Sequence, residues 1–307
     1  MTLQQMEYIV AVNKYRHFVA ASEQCGVTQP TLSQMIQKLE QELGVLIFDR
    51  TKHPIEPTAM GIRVIKQAEM VLFETRKIAE MVDSEVKGLE GALKIGVIPT
   101  LAPYLIPEFI YRFRQSYSSV NLTITELQTA TLIDALKRGI LDMFIAATPL
   151  EEDEFYEIPL YYEKFVAYFA SQDLPVEAHL SAKTMPNDNL WVLQEGHCVR
   201  DQIFNFCEPD AHYNHVFEAG SIDTLIRIVD KNGGYSVIPE LQLPYLTDEQ
   251  RKNVREISCP PAVREISVVI RRDFVRERML NAVADTIKQI MPSQMLDERL
   301  KKFSIRL

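Results

Sequence analysis

Residues 20–61 read AASEQCGVTQPTLSQMIQKLEQELGVLIFDRTKHPIEPTAMG, and their spacing decides the front of the chain. Phe18, Ala21, Ser22 and Cys25 repeat at helical intervals. Gly26 follows where a missing Cβ permits the positive φ of a helix-ending turn. Thr28 is a good N-cap, and Pro30 lies in the first turn, where proline is tolerated. Leu32, Met35, Ile36, Leu39 and Leu43 form the next apolar set, closed by Gly44. Two short helices joined by a brief turn containing glycine are the signature of a helix-turn-helix. Pro54 and Pro57 exclude a continuing helix after it, so short β segments around a turn, a wing, are expected.

Outward from this stretch, Leu3, Met6, Ile9 and Val10 predict a preceding helix. Downstream, Ile62, Ile65, Ala68, Met70, Leu72, Phe73 and Ile78 interleave with charges and predict one long helix over 59–90. A helix of that length between two domains suggests a linker that pairs with a partner helix, although sustained heptads are not clear. From Ala92 the pattern changes. LKIGVI, VNLTITE and LDMFIAA read as strands, and the segments around PTLAPYLIP and TLIDALKRG as helices. KFVAYFA at 164–170 begins a second set that runs through REISVVIRR to a last helix near Met279–Met291. The expected architecture is α plus α/β. It has a winged helix-turn-helix at 1–58, a linker and dimerisation helix at 59–90, and a two-lobed regulatory domain at 91–307. That domain is expected to resemble the periplasmic-binding-protein fold. Lobe I is about 91–162 plus 267–307 and lobe II about 163–266.

Composition sets the outer limits. The 307 residues carry 33 Lys+Arg against 42 Asp+Glu, a formal charge of −9, with 47% hydrophobic and 24% charged residues, which excludes disordered and low-complexity classes. No apolar run approaches a bilayer span, and no apolar signal core opens the chain, so a cytoplasmic protein without membrane contact is expected. No Gly-x-Gly occurs, which removes dinucleotide and P-loop fingerprints. Cys25, Cys198, Cys207 and Cys259 contain no C-x-x-C and there is no H-E-x-x-H, so neither a metal nor a cofactor is expected.

The acidic total argues against nucleic acid, but it is unevenly spread. Residues 1–66 hold seven Lys/Arg and six Asp/Glu, a local +1. A helix-turn-helix places its second helix in the DNA major groove, with residues near its N-terminus at base edges. Here Gln29 and Gln34 are suited to adenine, and Thr28, Pro30, Thr31, Ser33 and Lys38 complete the candidate surface. Arg50 and Lys52 in the wing are the candidate phosphate cations. A helical hairpin used only for packing is the bland alternative. The motifs favour DNA: an AA-x(3–4)-hydrophobic turn, Gln29-Pro30-Thr31-Leu32-Ser33, Leu39-Glu40-Gln41-Glu42-Leu43-Gly44 and Phe48-Asp49-Arg50 together resemble the N-terminal signature of LysR-type transcriptional regulators. The resemblance implies double-stranded promoter DNA as partner, a dimer through the linker helices, usually assembled as a homotetramer, and contact with RNA polymerase.

Cys198 and Cys207 stand nine residues apart in EGHCVRDQIFNFC. On a helix, nine steps place the sulfurs on opposite faces with a rise of about 13 Å. A disulfide needs Cα atoms within about 7 Å, so the two could bond only if the segment unwinds. A thiol near a helix start, beside His197 and Arg200, should also have a lowered pKa. Inert burial is the commoner fate of a cytosolic cysteine and is expected for Cys25 and Cys259. The run G-H-C-x-R-D-Q-x-x-x-F-C, with IGVIPTLAPYLIP at 95–107, is similar to the redox segment of hydrogen-peroxide-sensing members of the LysR family. That likeness implies Cys198 as peroxidatic and Cys207 as resolving cysteine, joined by a reversible disulfide. It also implies Thr100 and Thr129 in the peroxide pocket, and His197, Arg200 and Asp201 shaping the reduced loop. Arg264 becomes a partner of the thiolate, and His215 stands near the resolving region. A thiol reductant such as glutaredoxin or thioredoxin would reset the switch. The expected role is regulatory and not enzymatic. The alternatives are a metabolite-responsive LysR-type regulator with incidental cysteines, a thiol peroxidase, and a solute-binding protein.

Overall fold

The computed structural model describes residues 1–86, 89–150, 152–177, 179–181, 185–186, 189–193, 196, 202–203, 221–258 and 260–305. The chain divides into two compact units. The first is Met1–Gly88 with Asp134–Ile140, and the second is Leu89–Ile133 with Leu141–Leu307.

In the first unit, α1 (Leu3–Tyr15), α2 (Phe18–Gln24) and α3 (Gln29–Leu43) are each started by a side-chain cap, from Thr2, His17 and Thr28. Thr2 and Gln5 form a reciprocal capping box, so two amide donors at the start of α1 are satisfied at once. Ile9, Val12, Leu32, Ile36 and Leu39 face inward from α1 and α3 and are fully buried, which fixes the crossing of these helices. Gly44 ends α3 at φ +68°, a conformation that costs a Cβ-bearing residue. The wing is two short antiparallel strands, β1 (Phe48–Asp49) and β2 (Glu56–Pro57). The helix α4 then runs over Ala59–Val86. Gly61 is required there, since a Cβ would fall 1.9 Å from the Ile47 carbonyl oxygen.

The second unit is built on a mixed sheet. Strand β3 (Gly91–Val97) lies parallel to β4 (Val120–Glu126) and β5 (Met143–Thr148). Two helices begin just beyond the carboxyl ends of these strands: α5 (Ala102–Ser116) after β3 and α6 (Thr129–Lys137) after β4. Strand β6 spans Phe155–Phe169 and is followed by β7 (His179–Leu180), β8 (Leu190–Trp191), α7 (Ile222–Asn232) and β9 (Tyr235–Pro239). Helix α8 (Asp248–Lys252), β10 (Val254–Ile257), β11 (Val263–Arg271) and α9 (Glu277–Ile290) complete it. Strand β11 runs antiparallel between β5 and β6, so the chain returns along its own outward path.

One expectation fails here. KFVAYFA does not begin a new element, because β6 is a single 15-residue strand from Phe155 onward. The strand runs through Pro159, and its ladder with β11 shifts register between Ile266 and Ser267, opposite Tyr161 and Pro159. The bulge accommodates a residue with no N–H to donate. Its first part pairs with β11, and Phe165–Phe169 pairs with β9 over a separate apolar cluster that includes Phe165, Tyr168, Phe169, Ile226 and Val229.

Candidate sensing site and nucleic-acid interface

On the first unit, Thr28, Gln29, Pro30, Thr31, Gln34 and Lys38 are exposed at the start and along one face of α3, and Ser33 is half-buried. The hydroxyl of Thr28 accepts the Thr31 amide at 3.4 Å and lies 2.8 Å from the Thr31 hydroxyl. The cap therefore orders the two threonines that lead this face. The wing cations have carboxylate partners. Lys52 pairs with Glu56 across the turn. Arg50 donates to Glu40 Oε2 at 3.0 Å, and its guanidinium stands 5.4 Å from the Phe18 ring centroid. Glu40 is a residue whose role sequence reasoning missed. Its other oxygen, Oε1, accepts the N–H groups of Ile47 and Phe48 at 2.8 and 3.2 Å, so it fastens the wing to α3 while aiming Arg50. The signal was a carboxylate four residues after Ile36, on the apolar face of a helix, where a charge persists only if paired.

On the second unit, Thr100 and Thr129 stand at equivalent places. Each is the third residue beyond its strand, after Val97 of β3 and Glu126 of β4, which are register partners. The Leu127 amide donates to the Val97 carbonyl at 3.1 Å and ties the two exits together. The region outside the carboxyl ends of parallel strands is where open α/β sheets place ligands. Thr100 is buried, and Arg264 donates to its hydroxyl from Nη1 at 3.1 Å and to its carbonyl from Nη2 at 3.4 Å. The Thr129 hydroxyl is buried with no hydrogen-bond partner among the described residues. Gly196 stands at φ +91° with the Gln128 amide against it, since a Cβ would meet Gln128 Oε1 at 2.9 Å. This contact sets Gly196 beside the residue that precedes Thr129.

Arg264 is fully buried on β11, directly across the ladder from the equally buried Glu163 of β6. Its Nε donates to Glu163 Oε2 at 2.8 Å, and Glu163 Oε1 accepts the Leu241 amide at 2.9 Å. Sequence reasoning missed Glu163 as well. A carboxylate that, with its neighbour Lys164, interrupts the apolar and aromatic strand run YYEKFVAYF was the available signal. Two residues before it, Tyr161 is fully buried with its hydroxyl unpartnered among the described residues. Burial, then the nearby Glu163 charge, pushes that phenol well above its usual range. Tyr104, on the first turn of α5, hydrogen-bonds through its hydroxyl to Gln242 Oε1, and Gln242 Nε2 donates to Asp223 at 3.1 Å.

His197, Cys198, Arg200, Asp201, Cys207, His215 and Cys259 lie outside the described residues. Cys25 is the C-cap residue of α2. Its thiol is pushed up by burial and secondarily by the Glu7 charge. Among the described residues no cluster of His, Cys, Asp and Glu could hold a metal ion, and no helix is long and apolar enough to cross a membrane.

Comparison with known proteins joins the two units. Residues 3–62 match the bacterial regulatory helix-turn-helix protein, lysR family, and residues 87–292 match the LysR substrate binding domain. The hydrogen peroxide-inducible genes activator of Haemophilus influenzae is 35% identical over 299 residues, covering 95% of this chain and 99% of that protein. Full-length OxyR from Pseudomonas aeruginosa, solved as a cysteine variant, superposes with a TM-score of 0.80 at 34% identity, over 94% of this chain and 95% of that one. A hydrogen-peroxide-bound cysteine variant of Corynebacterium glutamicum OxyR gives a TM-score of 0.62 at 27% identity, over 94% and 92%. A reading head with capped helices and wing, followed by a mixed α/β domain of the matching fold, places the chain in the LysR family of helix-turn-helix transcriptional regulators.

Proposed function

We propose that this chain is a hydrogen-peroxide-sensing transcriptional regulator that binds promoter DNA through α3 and the wing. Residues 1–58 read DNA, 59–90 pair two copies, and 91–307 sense the oxidant, with the active form a homotetramer. The observation that carries the reading is the pair of buried threonine hydroxyls at the exits of β3 and β4. One is held by a buried guanidinium and the other has no partner among the described residues. Peroxide is a small molecule that both donates and accepts hydrogen bonds, and such a pair suits it. The names of the relatives support the same chemistry.

In this mechanism the Cys198 thiolate attacks one peroxide oxygen. An S–O bond forms, the O–O bond breaks, and hydroxide leaves and takes up a proton as water. Sulfur is oxidised by two electrons and peroxide is reduced. The Cys207 thiol then attacks the sulfenic sulfur, an S–S bond forms, and a second water departs. His197, Arg200 and Asp201 shape the loop that presents Cys198, and His215 stands near Cys207. A protein dithiol of the glutaredoxin or thioredoxin type returns both thiols. Oxidation reshapes 198–207, and the oligomer changes its contacts with DNA and RNA polymerase.

The test is peptide mapping after brief exposure to micromolar peroxide, with DNA binding measured on the same sample. A Cys198–Cys207 bond that appears with a changed footprint supports the proposal. An intact DNA response to a cleft metabolite with no such bond overturns it.

A further inference from the structure

We propose that Glu163 is a positioning residue for the peroxide reaction: through Arg264 it fixes Thr100 as a hydrogen-bond donor to the peroxide oxygen that leaves. This inference rests on the sensing role proposed above for Thr100 and Cys198.

The argument begins with register. Strands β6 and β11 set Glu163 and Arg264 opposite each other, and both side chains are fully buried. A buried charge persists only when paired and hydrogen-bonded. Glu163 meets both needs at once, through Leu241 on one oxygen and Arg264 on the other. The guanidinium is planar, so holding its Nε edge against Glu163 leaves the direction of Nη1 no freedom. That direction is the Thr100 hydroxyl, 3.1 Å away.

A threonine hydroxyl has one proton and two lone pairs, whereas arginine is a donor only. The Arg264 bond therefore occupies a lone pair of Thr100 Oγ1 and leaves its proton to be given elsewhere. Without it, the hydroxyl would be free to turn and accept a hydrogen bond from the peroxide O–H, which does nothing for a departing hydroxide. Held as a donor, it stabilises negative charge as the O–O bond breaks. Glu163 acts through Arg264, which takes one of its oxygens while Leu241 takes the other. It decides which way a hydroxyl points.

Orientation can be separated from charge. Glu163 is itself negative and offsets part of the Arg264 field, so removing its charge does not make the Cys198 thiolate harder to form. The loss is confined to reagents that need the donor. Iodoacetamide expels iodide at the same sulfur without a proton donor, so its rate reports thiolate and access alone.

The experiment measures both second-order rates at Cys198 in the full-length reduced protein, at a pH where iodoacetamide reactivity has levelled off. Glu163→Gln is expected to slow the peroxide rate about tenfold, a fraction of what a lost oxyanion donor costs, with iodoacetamide unchanged within about twofold. Glu163→Asp keeps the charge but draws the guanidinium one methylene from Thr100. It shows the same selective loss and serves where the glutamine variant does not fold. Thr100→Val loses at least as much, Thr100→Ser keeps most of the rate, and adding Glu163→Gln to Thr100→Val loses nothing further, the signature of one shared interaction.

Equal slowing of both reagents, no slowing of either, or full additivity with Thr100→Val overturns the assignment of Glu163. A wild-type Cys198 that is alkylated normally yet meets peroxide no faster than a free thiol overturns the sensing role itself, and this inference with it.

Discussion

Glu40 in the reading head and Glu163 in the regulatory unit both divide their carboxylate between backbone and arginine, with two N–H groups on one oxygen of Glu40, one N–H group on one oxygen of Glu163, and an arginine on the other oxygen of each. The device is the same and its surroundings differ. The Arg50 side chain is 38% exposed, whereas that of Arg264 is wholly buried. At the surface, the pair fastens a wing and leaves a cation facing water, where a phosphate can reach it. In the interior, it holds a donor fork still and directs it onto a hydroxyl. On the proposed function, a similar hydrogen-bond pattern serves recognition or chemistry according to how much solvent it meets, because screening makes the exposed charge exchangeable and desolvation makes the buried one rigid.

The comparison can be broken most decisively at the cysteine. Cys198→Ser is expected to abolish the peroxide response entirely while leaving binding to promoter DNA intact, as measured by footprinting before and after oxidant. A variant that still responds would detach the buried pair from any sensing role. Next in size, Arg264→Met leaves the Glu163 carboxylate buried without its cation and should destabilise the fold by about 3–5 kcal/mol in urea unfolding. Arg50→Met should cost below about 1 kcal/mol, since the pair is partly exposed and Glu40 keeps two backbone donors. If both variants lose the same stability, burial is not what separates the pairs.

Arg50→Met is instead expected to weaken DNA binding across sequences and to reduce the slope of log affinity against log salt by about one per subunit. An unchanged slope would mean that Glu40 keeps Arg50 from the phosphates. The smallest effect is at Cys25. Its pKa is raised by burial, so less thiolate exists near neutrality and alkylation should be slower than for a free cysteine, rising with pH. Cys25→Ala should leave the peroxide response unchanged. A fast-reacting Cys25 would show that the reading head also carries oxidant chemistry.

Much of the reading head was legible in the sequence because its determinants are local. Thr28 caps α3, Gly26 and Gly44 take up positive φ, and the 3/4 spacing of Leu32, Ile36 and Leu39 names the buried face. Each acts within a few residues, so a linear reading finds it. The wing showed itself only as prolines that forbid a helix; its attachment through Glu40 depends on a carboxylate meeting amides seven and eight residues on. In the regulatory unit, periodicity located β3, β4 and β5 but started β6 only at Lys164, past Pro159. Only the opposing strand shows that the ladder passes the proline through a bulge.

For the candidate site, the sequence by itself determined the helix-turn-helix, the alternation of strands and helices, and a cysteine pair too far apart to bond on a helix. These follow from turn chemistry, periodicity and rise per residue. The tertiary structure alone decided that Arg264 serves Thr100, 164 residues away, and answers to Glu163, 101 residues away. Nothing local distinguishes a buried arginine from a solvated one. The difference arises when two strands settle into register and close water out around a charge that then has to be paired.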